Sequence, residues 1–238
     1  MAKAILYKAD SRGYADHGWL KSHHSFSFAN YYDPKRMHFG ALRVLNDDYI
    51  AGGKGFGTHP HSNMEIITIP LEGDLQHKDS MGNGTIIKHG DVQVMSAGTG
   101  IQHSEFNANA DKAVKLLQIW LIPNQQNVTP RYQQITLNPA DRHNQLQQIL
   151  SPNTEDAGVW IYQNAWFYLS KSDKGRNTEY TLKAANNGIY LFVLSGEVSI
   201  ADQKLNSRDA IGIWEVDQIS IKAESDAEFL LMEVPMEF

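Results

Sequence analysis

The sequence predicts an all-β protein built from two related β-barrels or jelly rolls, with few short helices. Three observations predict this class: short apolar runs, turn residues between the runs, and a weak repeat of one half of the chain in the other. Gly, Asn and Asp separate the runs, and the periodicity of amphipathic helices is scarce. The clearest runs are residues 66–71, 92–95, 114–122, 189–194 and 229–234.

Turn and helix signals define the elements between these runs. Residues 79–84 read Asp-Ser-Met-Gly-Asn-Gly, and Asn-Gly tolerates the positive φ that a tight hairpin requires. Residues 139–150 form the one predicted helix, because Asn138 can cap it and proline suits its first turn.

The two halves of the chain share a short pattern. Residues 69–75 (IPLEGDL) and 192–198 (FVLSGEV) each read as an apolar strand, a glycine turn and a second strand. Further along, Gly-Asp-Val at residues 90–92 corresponds to Arg-Asp-Ala at residues 208–210. A repeat of this kind favours paired barrels.

A connector between the halves is indicated by residues 123–148, which are rich in Gln, Asn and Pro. We therefore predict an N-terminal metal-binding barrel at residues 1–130 and a C-terminal barrel without metal at residues 131–238.

The composition limits the classes of function. The 238 residues are 42% apolar, carry a net charge of −6 and include no cysteine. Disulfides, thiolate ligands and a cysteine nucleophile are thereby excluded. The mild acidity and the lack of a basic cluster argue against nucleic acid as a partner. Neither a signal peptide nor a membrane-spanning run is apparent, so we expect a cytoplasmic protein without a membrane partner.

Two short motifs carry the chemistry. His59 and His61 form a His-x-His pair, and His103 and Glu105 form a His-x-Glu pair. On a strand, residues i and i+2 point to the same face, so each pair can direct two ligands into one cavity. Each pair is weak evidence alone, but glycines before both pairs suit the sharp corners of a barrel. The four side chains are the predicted ligands of one metal ion.

This arrangement resembles the two cupin motifs, and several longer stretches narrow the resemblance to the pirin family. The stretches are HSFSFANYYDP (24–34), FGALRVLNDD (39–48), HPH (59–61), LEG (71–73), HKDS (77–80) and GIQHSE (100–105). The similarity is dense over residues 10–122 and looser afterwards, where the chain resembles short bacterial members. The resemblance implies a double cupin, or bicupin.

The family resemblance also implies a ligand set and a metal. In pirins three histidines and a glutamate bind an iron-type metal in the first barrel, and the matching residues are His59, His61, His103 and Glu105. Ordinary cupins use an earlier glutamate, whose position here is Glu65, and we place Glu65 outside the ligand set. We expect one divalent ion, with Fe favoured by resemblance; Ni, Cu, Mn, Co and Zn stay open because imidazole-rich sites accept several metals.

The second barrel is predicted to lack a metal. Measured from Gly73 and Asp91 in the first half and from Gly196 and Asp209 in the second, the ligand positions map to four apolar residues. These are Leu182, Ala184, Ile221 and Ala223.

Several bacterial pirins are similar to quercetin 2,3-dioxygenases. The resemblance therefore implies a metal-dependent opening of the flavonol central ring by O₂ with release of CO. The substrate would be a small planar phenol, and Glu105 would be the catalytic base that takes its 3-hydroxyl proton. Phe26, Phe28 and Phe39 are candidates for an aromatic wall near the mouth of the site.

Two other functions stay open. Some pirins act as metal- or redox-sensing regulators that bind transcription factors or metabolic enzymes, so a protein partner is possible. A metal site with only structural value is the third reading, since a fold does not determine function.

Other polar residues are assigned simpler roles. His77 and His89 are predicted as exposed hairpin residues. Asp47 and Asp48 are predicted as a solvated turn. His24 and its neighbour His23 are taken as structural histidines, with a pocket position as the alternative.

Overall fold

The computed structural model describes residues 2–238, and strands carry almost all of the regular structure. The first eleven strands are β1 Lys3–Tyr7, β2 Gly13–Asp16, β3 Leu20–His24, β4 Leu42–Ile50, β5 Gly55–His61, β6 Glu65–Glu72, β7 Leu75–Asp79, β8 Gly84–Ile87, β9 Asp91–Ser96, β10 Ile101–Asn107 and β11 Val114–Leu121. The others are β12 Arg131–Thr136, β13 Gln147–Ser151, β14 Val159–Trp160, β15 Trp166–Ser172, β16 Asn177–Thr181, β17 Asn187–Ser195, β18 Glu197–Ile200, β19 Gln203–Asn206, β20 Ala210–Trp214, β21 Gln218–Ala223 and β22 Ala227–Pro235. Short 3₁₀ helices span Ala9–Ser11 and Pro139–Arg142.

Four sheets stack into two barrels. The first barrel joins a seven-stranded sheet, β12-β9-β6-β11-β4-β3-β2, to a four-stranded sheet, β5-β10-β7-β8. The second barrel repeats this plan with β1-β20-β17-β22-β15-β13-β14 and β16-β21-β18-β19. This architecture confirms the predicted all-β double cupin.

The largest apolar core lies between the two seven-stranded sheets. Leu117 and Ile119 of β11 pack there with Phe192 of β17 and Leu230 and Met232 of β22, and all five side chains are fully buried. Burial of this much apolar surface joins the barrels into one body. Each seven-stranded sheet packs one face against the sheet of the other barrel. Its opposite face lines the interior of its own barrel.

Two strands lie in the sheet of the other half. β1 pairs with β20, and β12 pairs with β9. β1, near the start of the chain, is therefore an edge strand of the second barrel, and β12, from the middle of the chain, is an edge strand of the first. The domain division between residues 130 and 131 stays a prediction.

The internal repeat is visible in the backbone. Gly73 and Gly196 adopt positive φ of 75° and 78° at equivalent strand-to-strand turns. Asp91 accepts a hydrogen bond from the Lys88 backbone N–H at 2.8 Å, and Asp209 accepts one from the Asn206 N–H at 3.0 Å. The predicted hairpin at residues 79–84 is also confirmed, since it joins β7 to β8.

The predicted helix at residues 139–150 was wrong in extent. Only one 3₁₀ turn forms, at Pro139–Arg142, and Asn138 caps it by accepting from the Ala140 N–H at 3.2 Å. The rest of the segment enters β13, where Ile149 and Leu150 are fully buried in the core between the sheets. Tertiary packing overrides the local helix signal here. Within residues 2–238, no helix has the length and apolarity needed to cross a membrane.

Candidate metal centre

Three histidines gather on one face of the small sheet of the first barrel. β5 and β10 pair antiparallel, with His59 opposite His103 and His61 opposite Ile101. The ring centroids of His59 and His103 lie 4.3 Å apart, and His61 lies 4.9 Å from each of the other two rings. The i, i+2 alternation of a strand therefore brings the His-x-His pair onto His103, as the sequence predicts.

The nitrogen atoms of these rings suit a metal ion. Candidate ligand atoms of His59, His61 and His103 all lie within 4.8 Å of one another. His61 Nε2 and both nitrogens of His103 are buried without a hydrogen-bond partner. His59 Nδ1 donates to the Gly57 carbonyl at 2.8 Å, which leaves the lone pair on Nε2. Orphaned buried nitrogens are costly, and a metal ion would satisfy them.

The electrostatics also favour metal binding. Burial, followed by the charge of His59, lowers the pKa of His61 to about 4. Burial and the neighbouring histidines hold the pKa of His103 still further below its ordinary value. Both rings are therefore neutral at pH 7, which is the protonation state that binds metals.

The Glu105 side chain is buried beside this cluster. Gln118 Nε2 donates to both carboxylate oxygens, at 3.2 and 3.0 Å, and Thr68 Oγ1 donates to one of them at 3.4 Å. Burial raises the pKa of Glu105, although the charge of His77 and these donors act in the opposite direction. The Glu105 carboxylate lies within 4.8 Å of His77 and His103 ligand atoms, whereas His59 and His61 belong to the other cluster. The two clusters share His103.

The prediction that His77 is an exposed hairpin residue was wrong. Its side chain is fully buried, and its Nε2 donates to the Asp79 carboxylate at 3.1 Å. Asp79 is itself held by Asn83 Nδ2 at 2.8 Å and the Met81 N–H at 2.9 Å in the hairpin turn. His77 Nδ1 is buried without a partner. The alternation of Leu75, His77 and Asp79 along β7 was the sequence signal that could have indicated an inward-facing His77. His89, by contrast, is exposed as predicted.

Glu65 belongs to neither cluster. Its carboxylate accepts a hydrogen bond from Ser96 Oγ at 2.7 Å, and burial raises its pKa to about 7. The ligand role of His59, His61, His103 and Glu105, and the place of Glu65 outside that set, stay predictions.

A cavity of about 290 Å³ opens onto the histidines. Its aromatic lining is Phe28, Phe56 and Trp120, with Trp120 4.9 Å from the His61 ring and 5.5 Å from Phe28. Of the predicted aromatic wall, only Phe28 is in place. Phe26 and Phe39 instead pack on Tyr190 in the core between the barrels, each at 5.6 Å.

The wall of the cavity formed by β3 and β4 is polar. Its members are Ser22, His24, Asn46 and Asp48, and all four are buried. Ser22 Oγ donates to Asp48, and His24 Nδ1 donates to Asn46 Oδ1 at 2.9 Å. Asp48 is therefore part of the cavity. The prediction of a solvated turn was wrong for both aspartates, because Asp47 and Asp48 lie within β4 and Asp47 forms an ion pair with Arg12 at 3.2 Å. His24 takes the pocket position that the sequence left as an alternative.

The second barrel is apolar where the first carries ligands. Leu75 pairs with Asn107, and the equivalent Val198 pairs with Ala223, so the register fixes the correspondence. The positions equivalent to the four ligands are Tyr180, Leu182, Ile219 and Ile221. All belong to, or pack against, the apolar core of the second barrel. Both sequence offsets ran two residues too far along. The segment from Tyr180 to Gly196 is two residues longer than that from His59 to Gly73, and the segment from Asp209 to Ile219 is two residues shorter than that from Asp91 to His103.

Comparisons with known proteins identify relatives of both halves of the chain. A family model described as "Pirin" matches residues 7–121, and one described as "Quercetinase C-terminal cupin domain" matches residues 148–234. The chain is 45% identical to a quercetin 2,3-dioxygenase of Escherichia coli K12, over 97% of this chain and 98% of that relative.

Solved structures match over the whole length. The crystal structure of YhhW from Escherichia coli superposes with a TM-score of 0.94 at 43% identity, covering 99% of this chain and 100% of that chain. A structure of the bacterial pirin YhhW in complex with nickel(II) matches with a TM-score of 0.93 at 44% identity, covering 98% and 99%. A divalent metal site in this chain is supported by that relative and by the histidine cluster.

Proposed function

The chain belongs to the pirin family, and on that premise we propose that it is a metal-dependent dioxygenase that opens the central ring of a quercetin-like flavonol with O₂ and releases CO. One observation carries the proposal: three imidazoles and a buried carboxylate line a cavity with aromatic walls. The name of the Escherichia coli relative supports the same reaction.

The residues that would hold the ion are His59, His61, His103 and Glu105. We take iron as the metal, with nickel as the alternative suggested by the relative's complex. When bound, the metal supplies a Lewis acid for a phenolate oxygen and a site for O₂. Three imidazoles and one carboxylate suit a divalent ion of this type.

Glu105 is the proposed catalytic base. It is almost completely buried, and burial raises its pKa, so its carboxylate accepts a proton more readily than an exposed one. Gln118 and Thr68 hold the carboxylate in place by hydrogen bonds. A phenol hydroxyl in the cavity would transfer its proton to Glu105.

The aromatic side chains select the shape of the substrate. Phe28, Phe56 and Trp120 present flat, apolar surfaces to the cavity, and such surfaces favour a planar ring system. They also keep bulk water away from the carboxylate and the imidazoles, which strengthens the electrostatic interactions there.

The test is oxygen consumption and CO release with quercetin. Metal-free protein is reconstituted anaerobically with Fe(II) or Ni(II). O₂ consumption and CO release are then measured under single- and multiple-turnover conditions. We expect one O₂ consumed and one CO released per quercetin. His89→Ala, which alters an exposed histidine, is the matched control for His59→Ala. Reconstituted protein that consumes no oxygen with any flavonol would reject the enzyme and favour a regulatory role.

A further inference from the structure

The cavity has two unlike walls that belong to different sheets. β5 and β10 contribute the histidines, and β3 and β4 contribute a polar wall from the seven-stranded sheet. In that sheet Ser22 lies opposite Asp48, and His24 lies opposite Asn46. The four side chains therefore form two adjacent cross-strand pairs that face into one cavity with the metal centre.

Asp48 is a buried carboxylate with few partners. Among residues 2–238, Ser22 is the one side chain that donates to it, and no Lys or Arg forms an ion pair with it. Burial raises the pKa of Asp48 to about 7, with the charges of Asp47 and Glu105 adding to the effect. A carboxylate in this position is unfavourable for folding, because burying it removes hydration that one hydroxyl does not replace.

The second barrel shows that the fold does not require this carboxylate. The strand pairing of the two barrels can be compared residue by residue. Ser170 of the second barrel then corresponds to Asp48 of the first. In the same way Tyr168 corresponds to Asn46, and Leu231 to Gln118. Ser170 Oγ is satisfied by Ser172 Oγ at 3.1 Å. The same scaffold thus forms with a small hydroxyl in place of Asp48, so the carboxylate at this position occurs only in the barrel that carries the histidines.

We propose that Asp48, supported by Ser22, His24 and Asn46, forms a second recognition site that accepts a hydrogen bond from a neutral hydroxyl group on the part of a planar phenol away from the metal centre. The inference rests on the proposed flavonol substrate and names what distinguishes good substrates from poor ones. His24 contributes a flat surface, since its ring lies 5.2 Å from Phe28.

Above pH 7, where Asp48 is ionised, its negative charge also excludes other ligands. A carboxylate, sulfonate or phosphate on that part of the ligand would place a second anion in a cavity of low dielectric beside Asp48 and Glu105. Repulsion between like charges is strong in such surroundings. The polar wall therefore selects hydroxylated planar phenols over acidic ones.

The experiment compares ligands that differ only in remote hydroxyl groups. Binding of 3-hydroxyflavone, galangin and quercetin to the metal-loaded protein is measured anaerobically by titration, for wild type, Asp48→Ser and Asp48→Asn. Asp48→Ser installs the residue that the second barrel carries at the equivalent position. Asp10→Ser, which removes an exposed carboxylate, is the control for net charge.

We expect quercetin to lose about tenfold in affinity in Asp48→Ser, while 3-hydroxyflavone stays within about twofold of wild type, as a lost hydrogen bond to a charged group predicts. At pH 8, where Asp48 is ionised in wild type, quercetin sulfonate should bind more tightly to Asp48→Asn than to wild type, because the repelling charge is gone. Asp48→Asn keeps the shape of the side chain and serves if the serine variant does not fold. Equal losses for all ligands, or no loss for any, overturn the inference.

Turnover measured in parallel separates this inference from the proposed function. Hydroxyl-dependent binding without oxygen consumption would leave the recognition site in place and reject the dioxygenase. If quercetin supports oxygen consumption but the effect of the Asp48 variants does not depend on the ligand hydroxyls, the dioxygenase proposal stands and the recognition site is rejected.

Discussion

Glu105 lies directly opposite His77 in the antiparallel pairing of β10 with β7. Ligand atoms of these two residues and of His103 lie within 4.8 Å of one another. This cluster shares His103 with the cluster of His59, His61 and His103. Asp79 orients His77 from behind through Nε2. A carboxylate behind a histidine is the arrangement that fixes imidazoles around metal ions. His77 is therefore expected to position the Glu105 end of the site.

Replacing His77 should weaken metal binding without unfolding the barrel. We expect His77→Phe to reduce metal affinity about 10- to 100-fold, the usual effect of losing a supporting group behind the ligands. Phenylalanine preserves the ring contact with Tyr132, whose centroid lies 4.9 Å away. Competition with a chromogenic chelator measures the affinity, and His89→Ala is the control. An unchanged affinity in His77→Phe would show that His77 plays no part in holding the metal.

Gln118 should be needed for catalysis and for stability. Gln118→Leu, which copies Leu231 of the second barrel, removes both hydrogen bonds to the buried Glu105 carboxylate. The buried carboxylate would then keep only the hydrogen bond from Thr68, and this loss should lower the free energy of unfolding by about 1–3 kcal/mol. We expect kcat for quercetin to fall while KM changes less. Denaturant unfolding and steady-state kinetics check the two effects, with the exposed Gln102→Leu as control; a variant that matches wild type in both would contradict the role.

Metal binding should quench the fluorescence of Trp120. Its ring lies 4.9 Å from the His61 ring, whereas Trp214 lies in the second barrel. A paramagnetic ion at the histidine cluster should therefore quench Trp120 most strongly. Titration with Fe(II) or Ni(II) should lose most of its quenching in Trp120→Phe and little in Trp214→Phe. Equal quenching in the two variants would place the ion elsewhere.

The stability of metal-free protein should depend on pH through Asp48. Its pKa is raised by burial, with Asp47 and Glu105 adding to the effect and Ser22 opposing it. Between its unfolded-state and folded-state pKa values, such a carboxyl is protonated in the folded chain and ionised in the unfolded chain. The folded protein therefore becomes less stable as pH rises from about 4 to about 7.

Asp48→Asn should remove that loss. Relative to wild type, the variant should gain stability between pH 5 and pH 8, by an amount on the order of 1–4 kcal/mol for a shift of this size. Taking the difference between the two proteins cancels the histidines, whose lowered pKa values act in the opposite direction. A difference that stays constant with pH would mean that Asp48 is already ionised at pH 5.

The sequence predicted the parts of this molecule that depend on local alternation. The paired ligand strands, the hairpin at residues 79–84 and the repeat of Gly73 in Gly196 follow from spacing alone. The helix at residues 139–150 failed because its apolar residues are buried between sheets formed by distant strands.

Asp48 and His77 were missed for a related reason. Each stands beside residues typical of turns, so the local sequence indicates solvent exposure. Their burial depends on pairing with strands far along the chain, namely β11 for Asp48 and β10 for His77. The residues next to Asp48 and His77 in the sequence do not predict which distant strand each will pair with.

Anomalous diffraction from crystals of the metal-loaded protein tests the central claim most directly. We predict one strong anomalous peak per chain, within bonding distance of His59, His61, His103 and Glu105, and none in the second barrel among Tyr180, Leu182, Ile219 and Ile221. A peak bound through Glu65, or the absence of any peak among the three histidines, would contradict the account.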